Sequence, residues 1–280
     1  MEEGVPTLNI IGCGRAAKTL GRLWAQTEAF RIQDVLTRAA ASAAEAVAFV
    51  GAGRAADALA RMRPADVWML GVPDTSIADT GEALAASGLL RAGDAVFHLS
   101  GFTASSVLEP ARQAGARVAS AHPVLSFADP QRAQAQFAGT LIGLEGDTQL
   151  CATLEAAFGL VGGECFALSA DTKPLYHAGA VFASNFLVVL VDAARRLYAE
   201  AGVAPEVAER LLAPLAANTL GNVLANGRAA LTGPAARGDH AVVEAQGQVV
   251  AGWDHDAGEA YAALSRLAVR IATERVRHDS

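Results

Sequence analysis

The chain has 280 residues, 52% of them hydrophobic, and a net charge of −7. That is enough apolar material for a sizeable core in one large or two smaller domains, and an acidic balance without any run of Lys or Arg excludes nucleic acid as a partner. Cys13, Cys151 and Cys165 are an odd number without metal-type spacing, which argues against a disulfide framework or a structural zinc.

The start, Met-Glu-Glu-Gly, carries no basic segment followed by an apolar run, and the most apolar stretch, 178–191, is too short for a bilayer and contains Ser184 and Asn185. A cytoplasmic chain with no membrane contact is the expectation. Residues 8–11 read as a buried strand and 16–27 as the helix that follows, with Leu20, Leu23 and Trp24 at helical spacing. Between them lies Gly12-Cys13-Gly14-Arg15-Ala16-Ala17, a G-x-G-x-x-A turn. Such a turn suits a dinucleotide. The first glycine permits a sharp bend, the second lets the backbone approach a pyrophosphate, the alanine lets helix and strand pack closely, and the helix N-terminus offers unpaired N–H groups. Arg15 could reach phosphate or point into water.

The second strand, 32–36, ends in Thr37-Arg38. An NAD site usually has a carboxylate near that end, about 20 residues beyond the glycines, whereas an arginine and a hydroxyl suit a 2′-phosphate; NADP is therefore favoured. Asp34 lies nearby but within the strand. The alanines at 39–44 are helix-forming composition and not a low-complexity tail.

Further strand-like runs follow at 67–72, 95–99, 117–120 and 140–144, alternating mostly with helical or turn-rich segments, and a last apolar run at 165–168. The pattern predicts a mainly parallel sheet with helices on both faces. Three strand ends carry polar groups: Val72-Pro73-Asp74, His98-Leu-Ser100-Gly101 and Ser120-Ala-His122-Pro123. Ligands of such sheets bind at the carboxyl edge, so Val72, Pro73, Asp74, Ser100 and Gly101 are candidate cofactor contacts, and His98 and His122 candidate substrate contacts. Asp74 and Ser76 serve equally well as helix caps.

From Lys173 onward only helical periodicity is seen, over 174–201, 205–226, 241–251 and 255–276, with Pro174 and Pro205 in first turns and Gly202 and Gly227 at ends. This gives a dinucleotide domain at 1–168 and an all-α domain at 169–280. In the first of these helices His177 and Ser184 are seven apart on one face, with Asn185 at its margin, where polar groups need partners such as a substrate. Asn218 and Asn222 are a turn apart, and the loop at 229–239 offers Thr232 and Arg237. Arg237 could hold a substrate carboxylate or pair with Asp239.

These motifs resemble a bacterial family of NADP oxidoreductase-like proteins with a Rossmann-like domain and a helical C-terminal domain long without assigned function. The segments that carry the resemblance include the glycine turn, Val72-Pro-Asp74, His98-Leu-Ser-Gly101, Ala121-His-Pro123, Tyr176 to Asn185 and Leu231 to Asp239. The wider group is similar to 6-phosphogluconate and 3-hydroxyacid dehydrogenases, pyrroline carboxylate reductase and ketopantoate reductase. The resemblance implies NADP(H), a site in the cleft between domains and a homodimer joined by the helical domains. It also implies a lysine one helical turn before an active-site asparagine. Here that position before Asn185 is Val181, and Lys173 lies too far back, so the proton donor is expected to be His177, with His98 and His122 next. Ser184 and Asn185 would bind the substrate. The expected activity is reduction of a carbonyl or imine of a small carboxylated metabolite, with ketopantoate-like 2-oxo acids in front. A non-catalytic NADP-binding regulator and a deazaflavin-linked NADP oxidoreductase remain as alternatives.

Overall fold

The computed structural model describes residues 4–278. Eight strands, β1 (Thr7–Ile11), β2 (Arg31–Leu36), β3 (Arg54–Ala56), β4 (Val67–Leu70), β5 (Ala95–His98), β6 (Arg117–Pro123), β7 (Leu141–Gly146) and β8 (Glu164–Ala167), form one sheet. Its order is β3-β2-β1-β4-β5-β6-β7-β8. All pairings are parallel except β6 with β7. The mainly parallel doubly wound sheet matches the alternating pattern of the sequence. β3 has no counterpart there, because three residues give too short a run for a period of two to show.

The helices of this part are α1 (Arg15–Thr27), α2 (Ala40–Val50), α3 (Ile77–Ala86), α4 (Glu109–Gln113), α5 (Pro130–Ala135), α6 (Thr148–Gly159) and α7 (Lys173–Ala183). Trp24 of α1 anchors the core. Its ring meets Phe30, Phe97 and Phe158 edge-on at 5.2, 6.2 and 5.2 Å, and its indole N–H donates to the Ala157 carbonyl at 3.1 Å, so α1, β5 and α6 lock on one apolar residue with its polar atom satisfied.

Because β4, β5 and β6 are parallel and in register, Leu70, His98 and Ser120 lie side by side at the carboxyl edge. The antiparallel return of β7 then sets Glu145 opposite Ser120. The sheet thus gathers the ends of four strands.

The remaining helices are α8 (Asn185–Glu200), α9 (Pro205–Asn226), α10 (Pro234–Arg237), α11 (His240–Trp253) and α12 (His255–His278). The chain divides into two compact units, one ending at Ser184 and the other beginning at Asn185. α7 therefore stays with the sheet. The helix predicted over 174–201 is two helices, broken at Ser184, whose backbone leaves the helical region (φ −121°, ψ −66°). Within the second unit α8 packs on α9 and α11 on α12, and Arg196 both pairs with Asp254 at 2.9 Å and lies over the Trp253 ring at 4.7 Å. Its own core is thin: among the described residues only Ala208, Leu212 and Val250 are buried apolar side chains.

Within Ala170–Glu200 an 18-residue stretch has a mean hydropathy of 1.6, which by length and composition is enough to cross a membrane, whereas 178–191 alone is expected to be too short. Charged residues close in on both sides of 178–191, Asp171 and Lys173 before it and Asp192, Arg195 and Arg196 after it. The geometry of Ala170–Glu200 is nonetheless not a straight span, since it breaks at Ser184 and its first helical residue, Lys173, is bonded to the sheet edge.

Candidate active site

The glycine turn has the shape its sequence predicts. Gly12 has φ +77°, and a Cβ there would lie 2.5 Å from a Val72 methyl and 2.8 Å from the Val72 nitrogen, so only glycine fits between β1 and the end of β4. Its N–H donates to the Leu36 carbonyl at 2.8 Å, which ties the turn to the tip of β2. A Cβ on Gly14 would meet nothing closer than the Gly71 carbonyl at 3.9 Å, which leaves room for a ligand against this backbone. Gly14 precedes α1 without a side-chain cap, and the first turn of α1 holds no acidic residue. Those N–H groups and the positive helix end are free to meet a phosphate. Arg15 is exposed and Ala16 half-buried at the mouth. Cys13 contributes only its backbone. Its side chain is packed in the sheet core, where burial pushes the thiol up to about 12.

At the second strand the structure separates the two charged candidates. Asp34 is fully buried and engaged by Arg54 Nε at 3.0 Å, by Arg63 Nη2 at 2.7 Å and by the Arg63 backbone N–H at 2.7 Å. Burial alone would raise its pKa, but the Arg63 and Arg54 hydrogen bonds outweigh it and hold the carboxyl below its ordinary value. Asp34 is a structural anion. Arg38 stands exposed just past β2, while Thr37 Oγ donates to the Ala39 carbonyl at 2.8 Å and shapes the turn.

The carboxyl ends of β4, β5 and β6 meet the first turn of α7. Ser100 Oγ donates to Asp74 Oδ2 at 2.7 Å and accepts from the N–H groups of Phe102 and Thr103, so one hydroxyl fixes the loop after β5. Lys173, fully buried, donates from Nζ to the Ser100 carbonyl at 3.0 Å and to Ser120 Oγ at 2.6 Å. Burial lowers its pKa, opposed by the charges of Glu145 and Asp74. Lys173 is one of only two lysines among the 22 Lys and Arg residues, the other being Lys18.

One helical turn beyond Lys173 comes His177. A Cβ on Gly101 would sit 2.7 Å from both His122 Nε2 and His177 Nδ1, so the absence of a side chain there lets two imidazoles close over the backbone. His177 Nδ1 is buried without a hydrogen-bond partner. His122 Nδ1 meets the Tyr176 hydroxyl at 2.8 Å, and its pKa falls to about 4, mainly through burial and then through the neighbouring His177. The ring is neutral near pH 7.

The other candidates fall elsewhere. His98 is completely buried, with Nδ1 accepting from the Ser100 N–H at 3.2 Å and Nε2 lying 3.4 Å from the Ala104 carbonyl. Burial brings its pKa down to about 4. With both ring nitrogens turned to the loop backbone it braces the loop and has none left for a substrate, which corrects its assignment as a substrate contact and as a reserve acid. Ser184 does not share a helical face with His177, because the helix breaks at that residue. Asn185 opens α8 and, like Asn222 on α9 and Thr232, is exposed. Arg237 donates to Asp239 at 3.1 Å, the local pair that the sequence had left open.

No lysine stands one turn before Asn185, but Lys173, one turn before His177, lies at the sheet edge. The scarcity of lysine was the signal available in the sequence.

Residues 4–123 match a Rossmann-like domain and residues 140–268 a domain of unknown function, DUF2520. The chain joins a Rossmann-like domain to a DUF2520 domain. No curated protein matches it. Among solved structures it is similar to a protein described as an NADP oxidoreductase from Bacteroides fragilis (TM-score 0.78, 23% identity, 95% of this chain and 98% of that one). It is also similar to protein TM1727 from Thermotoga maritima (0.71, 26%, 96% and 99%) and to an imine reductase from Myxococcus stipitatus in complex with NADP+ (0.62, 16%, 98% and 95%). These likenesses extend over the Rossmann-like and helical parts together and bear on fold.

Proposed function

We propose that this chain is an NADP(H)-dependent oxidoreductase that reduces the carbonyl or imine of a small carboxylated metabolite, a ketopantoate-like 2-oxo acid being the first candidate. The observation that carries the reading is Lys173, a lysine held without exposure at the carboxyl edge of the sheet that bears the glycine turn. The backbone of Gly12, Cys13 and Gly14 and the start of α1 at Arg15 and Ala16 fit a pyrophosphate, Thr37 and Arg38 a 2′-phosphate, and Val72, Pro73, Asp74, Ser100 and Gly101 the nicotinamide end. The description of the Bacteroides relative and the NADP+ of the Myxococcus enzyme support the choice of cofactor. When bound, the cofactor supplies hydride chemistry.

Lys173 takes the place first given to His177 as proton donor. A lysine whose pKa is lowered by burial is an acid matched to a developing alkoxide, and His177 Nδ1 and His122 Nε2, which close over the Gly101 backbone, are the hydrogen-bonding groups of the same strand-end cluster. Within the same unit, exposed Ser184 is left for recognition of the rest of the substrate. The partner we propose is a second copy of the chain, because Val188, Leu224 and Val249 of the helical unit are exposed by 70, 78 and 72%.

The test is loss of NADPH absorbance with a panel of 2-oxo acids, cyclic imines and a deazaflavin. Wild-type protein is expected to consume NADPH with one of the first two classes, and Lys173→Met to lower kcat by about 10²-fold or more while still binding NADPH. Oxidation of NADPH by no member of the panel, or full turnover by Lys173→Met, overturns the proposal.

A further inference from the structure

The surroundings of Lys173 assign a role to a residue that touches neither the glycine turn nor the exposed mouth of the site. A lysine amine has three substituent positions besides its carbon: three hydrogens when charged, two hydrogens and a lone pair when neutral. Two positions are committed, one to the Ser100 carbonyl at 3.0 Å and one to Ser120 Oγ at 2.6 Å. Ser120 Oγ spends its own hydrogen on the same Ser100 carbonyl, at 3.1 Å, and so turns only lone pairs toward the amine. The three groups form a closed triangle that commits two of the amine's three positions and leaves the third. Its carbonyl corner is fixed in turn, because the Ser100 hydroxyl is held by Asp74 and by the N–H groups of Phe102 and Thr103.

Of the other polar groups of the cluster, His177 Nδ1 is without a hydrogen-bond partner among the described residues, and the rest have prior engagements. Glu145 on β7 accepts the Ser105 N–H and hydroxyl, both at 2.7 Å, His98 on β5 braces the loop after its strand, and His122 on β6 is bonded to Tyr176. Glu145 and Asp74 act on Lys173 through charge, and Lys173 in turn acts on His98 and His122.

Building on the reductase reading, we propose that Ser120 is the positioning residue of the proton donor: with the Ser100 carbonyl it binds two hydrogens of Lys173, so that the third is exchanged with the substrate along one direction. In the exchange the third N–H bond breaks and an O–H bond forms on the oxygen of a carbonyl whose carbon has received hydride from the reduced nicotinamide. Nζ keeps the electron pair, and the neutral amine later regains a proton from water.

The chain's two lysines make the test direct. Protein grown on lysine labelled with ¹³C at Cε gives two signals, which Lys18→Arg assigns, and the pH titration of the Lys173 signal is read without substrate or cofactor. Wild type is expected to titrate below the ordinary value of about 10.4. Ser120→Ala, which deprives the ammonium of a charge-assisted hydrogen bond, is expected to titrate about one pH unit lower still, and Ser120→Thr to return toward wild type. If Ser120→Ala does not fold, Ser120→Cys, close in volume and a weaker acceptor, is expected to move the same way by less.

The alkaline limb of the pH–rate profile for NADPH oxidation should follow the same order. An unchanged Lys173 titration in a folded Ser120 variant overturns the positioning role and leaves the reductase reading standing. A shifted titration in a protein that oxidises NADPH with no substrate keeps the geometry and overturns the reductase reading.

Discussion

His98 and His122 show what burial does to a residue that titrates near neutrality. Each has a pKa of about 4 in the folded chain against an ordinary value of about 6.5, with desolvation as the main cause. Between those values the unfolded chain binds protons that the folded chain refuses. Their contribution to stability is therefore complete above pH 6.5 and is lost progressively as the pH falls toward 4. Urea midpoints are expected to decline from pH 7 to pH 4.5, and a midpoint that is flat across that interval would contradict the burial of these rings. At this scale the sequence was readable where a backbone constraint is local. Gly12 announces the turn because nothing larger fits there, and Ser100, Gly101 and His122 announce a strand end because the apolar runs stop there. Lys173 was hidden. Its partners Ser100 and Ser120 lie 73 and 53 residues away in the chain, so no spacing motif contains them.

Secondary-structure elements here draw their positions from polar contacts as much as from periodicity. β2 and β3 are joined to the loop before β4 by Asp34, whose carboxylate bonds to Arg54 of β3 and to Arg63 beyond it. Replacing that charge removes the common partner of two arginines. Asp34→Ala is expected to destabilise the fold by about 2 kcal/mol, below the figure for a fully enclosed pair because the arginine side chains are half exposed and can be rehydrated. Thermal unfolding measures it, and an unchanged Tm would assign the anchoring elsewhere. Except for β3, the strands of the sheet were legible because each contains a short apolar run. The break at Ser184 was not, since 170–200 is apolar on both sides of it, and the tethering of α7 to the sheet by Lys173 is a tertiary contact that one-dimensional periodicity does not register.

The whole molecule places its two units under different demands. The sheet unit has an extensive core of fully buried side chains, whereas the helical unit buries few and exposes large apolar residues along α8, α9 and α11. In the proposed dimer, covering these residues contributes to the stability of the unit. Sedimentation is expected to give a dimer at micromolar concentration, and Val188→Asp with Leu224→Asp to shift the mass toward monomer and lower Tm together. A monodisperse wild-type monomer would refute the proposed partner.

The division of the chain at Ser184 bears on how such a protein can change over time. Lys173, Ser100, Ser120, His122 and His177 all belong to the same unit as the glycine turn, so their mutual distances do not depend on where the helical unit sits. On the proposed reading the acid is mounted with the cofactor turn, and sequence change in the five helices beyond it leaves the direction of the proton as it is.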